Sequence, residues 1–167
     1  MNIEQLVKYI SQNNYNLDFE TDGIGMTWGV SYVRLTIGLK SKFENIEHFF
    51  FSTLNSDQNM TSGPLGGPIW SERTDLKEWA NNLKISEVKK EVIVQFIEAS
   101  KTEIQENLKY WIVENTLEAI FLDTSKEYEE CLLINETLSP RHYINTTDIY
   151  LATDKYNYYL FEGHYES

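Results

Sequence analysis

The chain has 167 residues and a formal net charge of −12, from 26 acidic against 14 basic side chains. One domain of this size buries a core without disulfides or metals, and 41% hydrophobic with 14% aromatic residues excludes the composition of a disordered chain. Binding to a nucleic-acid backbone or an anionic membrane surface needs clustered lysine and arginine, so the charge points instead to a basic protein partner or to simple solubility.

The start, Met1 to Leu6, has neither the basic nor the apolar region of a secretory signal. The apolar runs, such as Val92 to Ile97, are too short to span a bilayer. Cys131 is the single cysteine, so no internal disulfide is possible. These features predict a cytoplasmic protein, in which the Asn-x-Ser/Thr triplets at Asn59, Asn135 and Asn145 are coincidental.

Ile3, Leu6, Val7 and Ile10 recur at helical spacing, and Asn13-Asn14 marks the end of that helix. Tyr15 to Asp22 alternates like a strand, and Gly23 and Gly25 supply a turn. Thr27 to Leu39, rich in β-branched and aromatic residues, is the strongest strand in the chain. Ser41 to Leu54 fits two states. Ser41 and Glu44 form a capping-box pattern with a stripe of Phe43, Ile46, Phe50 and Leu54. The run Phe49 to Thr53 has strand composition, which favours a strand over residues 46–54 while the helix stays open. A Gly/Pro loop occupies residues 55–70.

Thr74 is positioned to cap a helix through Leu76, Trp79 and Leu83. Ser86 is positioned to cap another, carrying Val88, Val92, Phe96, Ile97, Ile104, Leu108, Trp111 and Ile112, either continuous or broken near Ser100. Leu117 to Leu122 and Cys131 to Ile134 read as strands. Asp148 to Thr153 and Tyr156 to Phe161 read as a hairpin about Asp154-Lys155. The order predicts a single α+β domain: an N-terminal helix and β-hairpin or meander, central helices, and C-terminal antiparallel strands in a mixed or antiparallel sheet packed on helices.

Chemical motifs are few. Gly63 to Pro68 lacks the lysine and hydroxyl of a phosphate loop, and its prolines remove backbone donors. Gly23 to Gly29 misses the dinucleotide-binding register. His48, His142 and His164 are scattered, and no calcium-loop pattern occurs. Cys131 could pair with His142 as a nucleophile, but Glu129 and Glu130 beside it would raise the thiol pKa. Cys131 is therefore read as a core residue. No catalytic residue, cofactor or metal site is assigned.

The charge is uneven. Residues 111–167 hold 11 acidic and 3 basic residues, whereas 61–110 hold 8 and 7. The acidic part is also rich in tyrosine, which interfaces favour. The candidate partner-binding residues are Glu127, Tyr128, Glu129, Glu130, Asp148, Tyr150, Asp154, Tyr156, Tyr158 and Glu162. In its α+β format, its Asn/Lys/Ile-rich composition, its lack of an active-site motif and its cluster Glu127-Tyr128-Glu129-Glu130, the chain resembles the small acidic immunity proteins that bacteria keep against polymorphic or contact-dependent toxins. The resemblance implies a stoichiometric inhibitor, monomeric or a small homo-oligomer, of a cognate protein toxin, often a basic nuclease. Phage-encoded inhibitors of host defence nucleases share the format. The competing expectation is a small-molecule-binding protein or enzyme with an aromatic pocket near Trp28, Trp70 or Trp79.

Overall fold

A computed structural model describes residues 1–24, 32–59, 76–107, 124–135 and 145–165. In chain order these form α1 (Ile3–Gln12), β1 (Glu20–Ile24), β2 (Tyr32–Leu39), a 3-10 turn (Lys40–Lys42), α2 (Ile46–Asn59), α3 (Leu76–Asn82), β3 (Lys84–Glu87), α4 (Lys90–Asn107), β4 (Glu130–Asn135), β5 (Asn145–Thr153) and β6 (Asn157–Tyr165). The strands make one sheet in the order β1-β2-β6-β5-β4-β3, and every described pairing is antiparallel. The fold is α+β. Among the described residues, no helix is long and apolar enough to cross a membrane.

The sheet is covered on both faces. Side chains alternate across a strand, so Leu132, Ile134, Ile149, Leu151 and Leu160 turn to one face, where they join Leu6 and Tyr9 of α1, Phe49 and Phe50 of α2, and Trp79 of α3. Their neighbours Cys131, Tyr150, Ala152, Tyr159 and Phe161 turn to the other, against Ile93, Phe96 and Ile97 of α4. Helix α1 follows its sequence signals. The Asn2 side chain accepts from the N–H groups of Glu4 and Gln5, and Asn13 closes the helix in the left-handed conformation at φ 48°, which asparagine tolerates.

Several expectations need correction. Residues 46–54 belong to helix α2, not a strand. The phenylalanine run suits a helix because this one is buried on several sides: Phe49 stacks on Tyr158 of β6 at 5.4 Å between centroids, and Phe50 meets Trp79 of α3 at 6.3 Å. Such a helix carries apolar residues around its circumference and loses the single stripe that periodicity detects. The cap also lies four residues beyond the Ser41 and Glu44 pattern. Asn45 Oδ1 accepts the His48 N–H at 2.8 Å, and His48 Nδ1 accepts the Glu44 N–H at 3.2 Å, a reciprocal cap of capping-box type.

The first strand runs Glu20–Ile24 rather than from Tyr15, because Asn16 and Asp18 are tied to α2 and the 3-10 turn instead. Gly23, expected in a turn, lies within this strand and pairs with Arg34 of β2, which extends the ladder past it. Ser86 does not cap a helix. It lies in β3, a four-residue edge strand paired with β4, too short and too exposed to show alternation. Helix α4 runs unbroken through Ser100. The sheet is antiparallel throughout the described residues, so the mixed alternative does not apply there. Residues 55–59, expected in the Gly/Pro loop, instead continue helix α2, because the apolar packing of its earlier turns carries the helix on to Asn59. The expectations for Gly25 to Ser31, the rest of that loop (60–70), the cap at Thr74, Leu108 to Ile112 and Leu117 to Leu122 fall outside the described residues.

Candidate functional site

The 3-10 turn after β2 organises one corner of the molecule. Four large apolar side chains are exposed among the described residues: Tyr15, Leu17, Leu39 and Tyr156. All four belong to segments joined at this turn. The Lys40 N–H donates to the Tyr156 carbonyl at 2.8 Å, which sets the β5–β6 turn beside Leu39. On the other side, Asn16, between Tyr15 and Leu17, donates from its side-chain Nδ2 to the Lys42 carbonyl at 2.8 Å. The Asn16 N–H donates to Ser52 Oγ at 2.9 Å, and Lys42 pairs with Asp18 at 2.8 Å.

The predicted acidic residues arrive at the same end of the sheet. The Glu129 N–H donates to the Thr153 carbonyl at 2.7 Å, bringing the run Glu127 to Glu130 alongside the β5–β6 turn. These acids are paired within the chain: Lys40 with Glu129 at 3.1 Å, Lys90 with Glu127 at 2.7 Å, and Lys126 with Asp154 at 3.0 Å. The first two pairs share an orientation. The Glu127 side chain is 85% exposed and its Lys90 22%; the Glu129 side chain is 60% exposed and its Lys40 29%. The lysines are also held from within. Lys40 lies 5.5 Å from the centre of the Tyr158 ring, and Lys90 donates to the Ser125 carbonyl at 3.3 Å. Carboxylates are thus displayed outward over ammonium groups that turn inward.

Asp154 has a different role. Its Oδ1 accepts the N–H groups of Tyr156 and Asn157 at 2.8 and 2.7 Å, and its Oδ2 accepts the Tyr159 hydroxyl at 2.6 Å. Burial alone would raise the carboxyl pKa. The bond from Tyr159 and those from the Tyr156 backbone, Lys126 and the Asn157 backbone outweigh it and hold the group well below the usual carboxylate range. Lys126 lies 4.8 Å from the centre of the Tyr159 ring. Asp154 is therefore the pin of the hairpin rather than a free contact.

The remaining candidates divide by burial. Tyr156 stands at the surface, 62% exposed. Tyr158 stacks on Phe49 on the α2 face, whereas Tyr128 packs edge-on against Tyr159 and Phe161 on the α4 face, at 5.5 and 6.3 Å. Glu130 is half-buried at the start of β4. Tyr150 and Glu162 are buried, Tyr150 against Phe96 at 5.0 Å, so neither side chain lies on the surface that another protein would meet. Both lie on central strands covered by helices on each face, where alternation no longer marks a wet side. The Asp148 side chain lies outside the described residues.

The sequence did not point to Leu39, Leu17, Tyr15 or the lysines beneath the acids. An exposed leucine at the end of a strand has the same local pattern as a core leucine.

Other chemistry is limited. Cys131 is buried, and burial, reinforced by Glu130 and Glu91, pushes its thiol up to about 11, so it is no thiolate at neutral pH. No group of three potential metal ligands occurs among the described residues. Trp79 is buried in the core between α3 and α2, whereas Trp28 and Trp70 fall outside the described residues. Comparison with known protein families, curated proteins and solved structures finds no match.

Proposed function

We propose that the chain is a stoichiometric inhibitor of the immunity type, which binds and neutralises a cognate basic protein toxin, such as a nuclease, through the corner around the 3-10 turn. The observation that carries this reading is the orientation of the ion pairs. Glu127 and Glu129 face solvent while Lys90 and Lys40 lie beneath them, so a cationic surface meets carboxylates first. Charges displayed this way steer encounter and set the register of a complex. The overall charge of −12 reinforces the attraction at longer range.

The test begins with affinity purification from producing cells. A basic protein should co-purify in a one-to-one complex and lose its activity there. The double reversal Glu127→Lys and Glu129→Lys should then slow association about tenfold or more at low salt and flatten its salt dependence. A partner that stays fully active in the complex, or an association rate unmoved by the reversal, would sink the reading.

A further inference from the structure

We propose that the partner enters this corner as a polypeptide segment with an apolar side chain flanked by arginine or lysine, the apolar residue seating against Leu39 and Tyr156 and the cations pairing with Glu127 and Glu129. The inference rests on the reading above that the corner is a contact surface, and it specifies what the contact must contain.

Scattered exposed apolar side chains are ordinary on protein surfaces. Here they stand on adjoining segments at one corner. Leu39 is 50% exposed and Tyr156 62%, and their backbones are one hydrogen bond apart through the Lys40 N–H and the Tyr156 carbonyl. Tyr15 and Leu17 bracket Asn16, which is tied to Lys42 at the far end of the same turn. The hairpin bearing Tyr156 is fixed from below by Asp154, Tyr159 and Lys126, so that segment is ordered before a partner arrives and less freedom is lost on binding.

Charge and apolar area divide the work in such a contact. Exposed ion pairs contribute little lasting affinity, because water and salt screen them and long side chains must be ordered. Glu127 and Glu129 are also already satisfied by Lys90 and Lys40, so a partner's cation exchanges one pair for another. Carboxylates alone would give fast encounter and fast release. An aromatic and a leucine beside them provide the apolar anchor that sets residence time. An acidic partner segment would be repelled, and an apolar one without cations would forgo the steering.

The test is selection of a phage-displayed random library of 12-residue peptides on the immobilised full chain, with counter-selection on the Leu39→Ser, Tyr156→Ser double variant. Both residues are exposed, so the variant should fold, and an unchanged thermal melt confirms it. Enriched peptides should carry an apolar residue between basic ones. Their affinity should fall at least tenfold in the double variant, while Glu127→Gln with Glu129→Gln should chiefly slow association. Enriched peptides lacking basic residues, binding indifferent to both variant pairs, or no enrichment over the counter-selected variant would overturn the proposal. The two readings fail separately. Corner-directed peptides alongside a native partner that keeps its activity remove the inhibitor reading alone. An inhibitory complex with which corner-binding peptides do not compete removes this proposal alone.

Discussion

His48 Nδ1 accepts the backbone N–H of Glu44 at 3.2 Å, a bond that requires the neutral imidazole with its proton on Nε2. The ring is buried, stacked on Tyr9 at 4.9 Å and edge-on to Phe43 at 5.7 Å. Tyr9 in turn donates its hydroxyl to Glu44 at 2.7 Å and accepts from Asn45 Nδ2 at 2.9 Å. This one cluster therefore both caps α2 and docks α1. Protonation would replace an acceptor by a donor facing a donor and would set a positive charge at a helix N-terminus.

The pH dependence follows in sign. Burial lowers the His48 pKa, against the opposing pull of Glu44. The unfolded chain therefore binds more protons just below the ordinary histidine pKa of about 6.5, and stability falls as pH drops through that region towards the folded value. Urea denaturation at pH 7.5 and 5.5 should show the wild type losing more stability than His48→Asn, whose carbonyl can still accept the Glu44 N–H. Equal losses would show that His48 does not govern the acid sensitivity of the α1–α2 contact.

Gly38 lies on the sheet face that α2 covers. A Cβ there would meet Phe43 Cε2 at 2.7 Å and the Phe49 ring at 2.8 Å. Those rings pack edge to face on each other at 5.3 Å, so displacing one disturbs the other. Gly38→Ala should destabilise by about 1–3 kcal/mol through overpacking, read as a lower melting temperature. An unchanged melt would mean that α2 can shift off the sheet at little cost.

Asp154→Asn keeps an oxygen for the turn amides but loses the ion pair to Lys126 and weakens the Tyr159 bond. It should cost about 1–3 kcal/mol at neutral pH, and Asp154→Ala more. Because the folded carboxyl is held low, its contribution is complete above the unfolded pKa of about 3.9 and declines as pH falls from there towards the folded value. The gap between wild type and Asp154→Asn should therefore narrow between pH 7 and pH 2.5 in denaturant titrations.

Cys131 should be silent to a disulfide reagent at pH 8 in the native protein and react fully in denaturant. Its burial on the α4 face and a thiol raised to about 11 both oppose attack. Rapid native labelling would show that the α4 face opens readily.

Much of the fold is legible in the residues. Helix α1 has its asparagine at each end, and the β5–β6 hairpin has its alternation and its Asp154-Lys155 turn. The failures share a cause. Phe49 to Phe51 have the composition of a strand, but their state is decided by Trp79, Tyr158 and Gly38, which lie far away in sequence. Lys84 to Glu87 pair only because β4 presents an edge. Acidic and aromatic clustering points to Glu127, Glu129 and Tyr156, whose side chains are exposed. It points equally to Tyr150 and Glu162, which are buried, since helices on both faces of the sheet erase the difference between an inner and an outer side.

The pairing of β2 with β6 sets Leu39 opposite Asn157 and Tyr32 opposite His164. The second strand thus has its inner neighbour in β6, the last of the described strands. During translation the first hairpin and α2 must wait, with one edge of β2 and the phenylalanines of α2 uncovered, until residues 157–165 leave the ribosome. Such long-range closure slows folding and leaves aggregation-prone edges open in the interim. A chaperone that shields nascent β2 should therefore raise the yield of this protein more than it would for a fold whose neighbouring strands are neighbours in sequence.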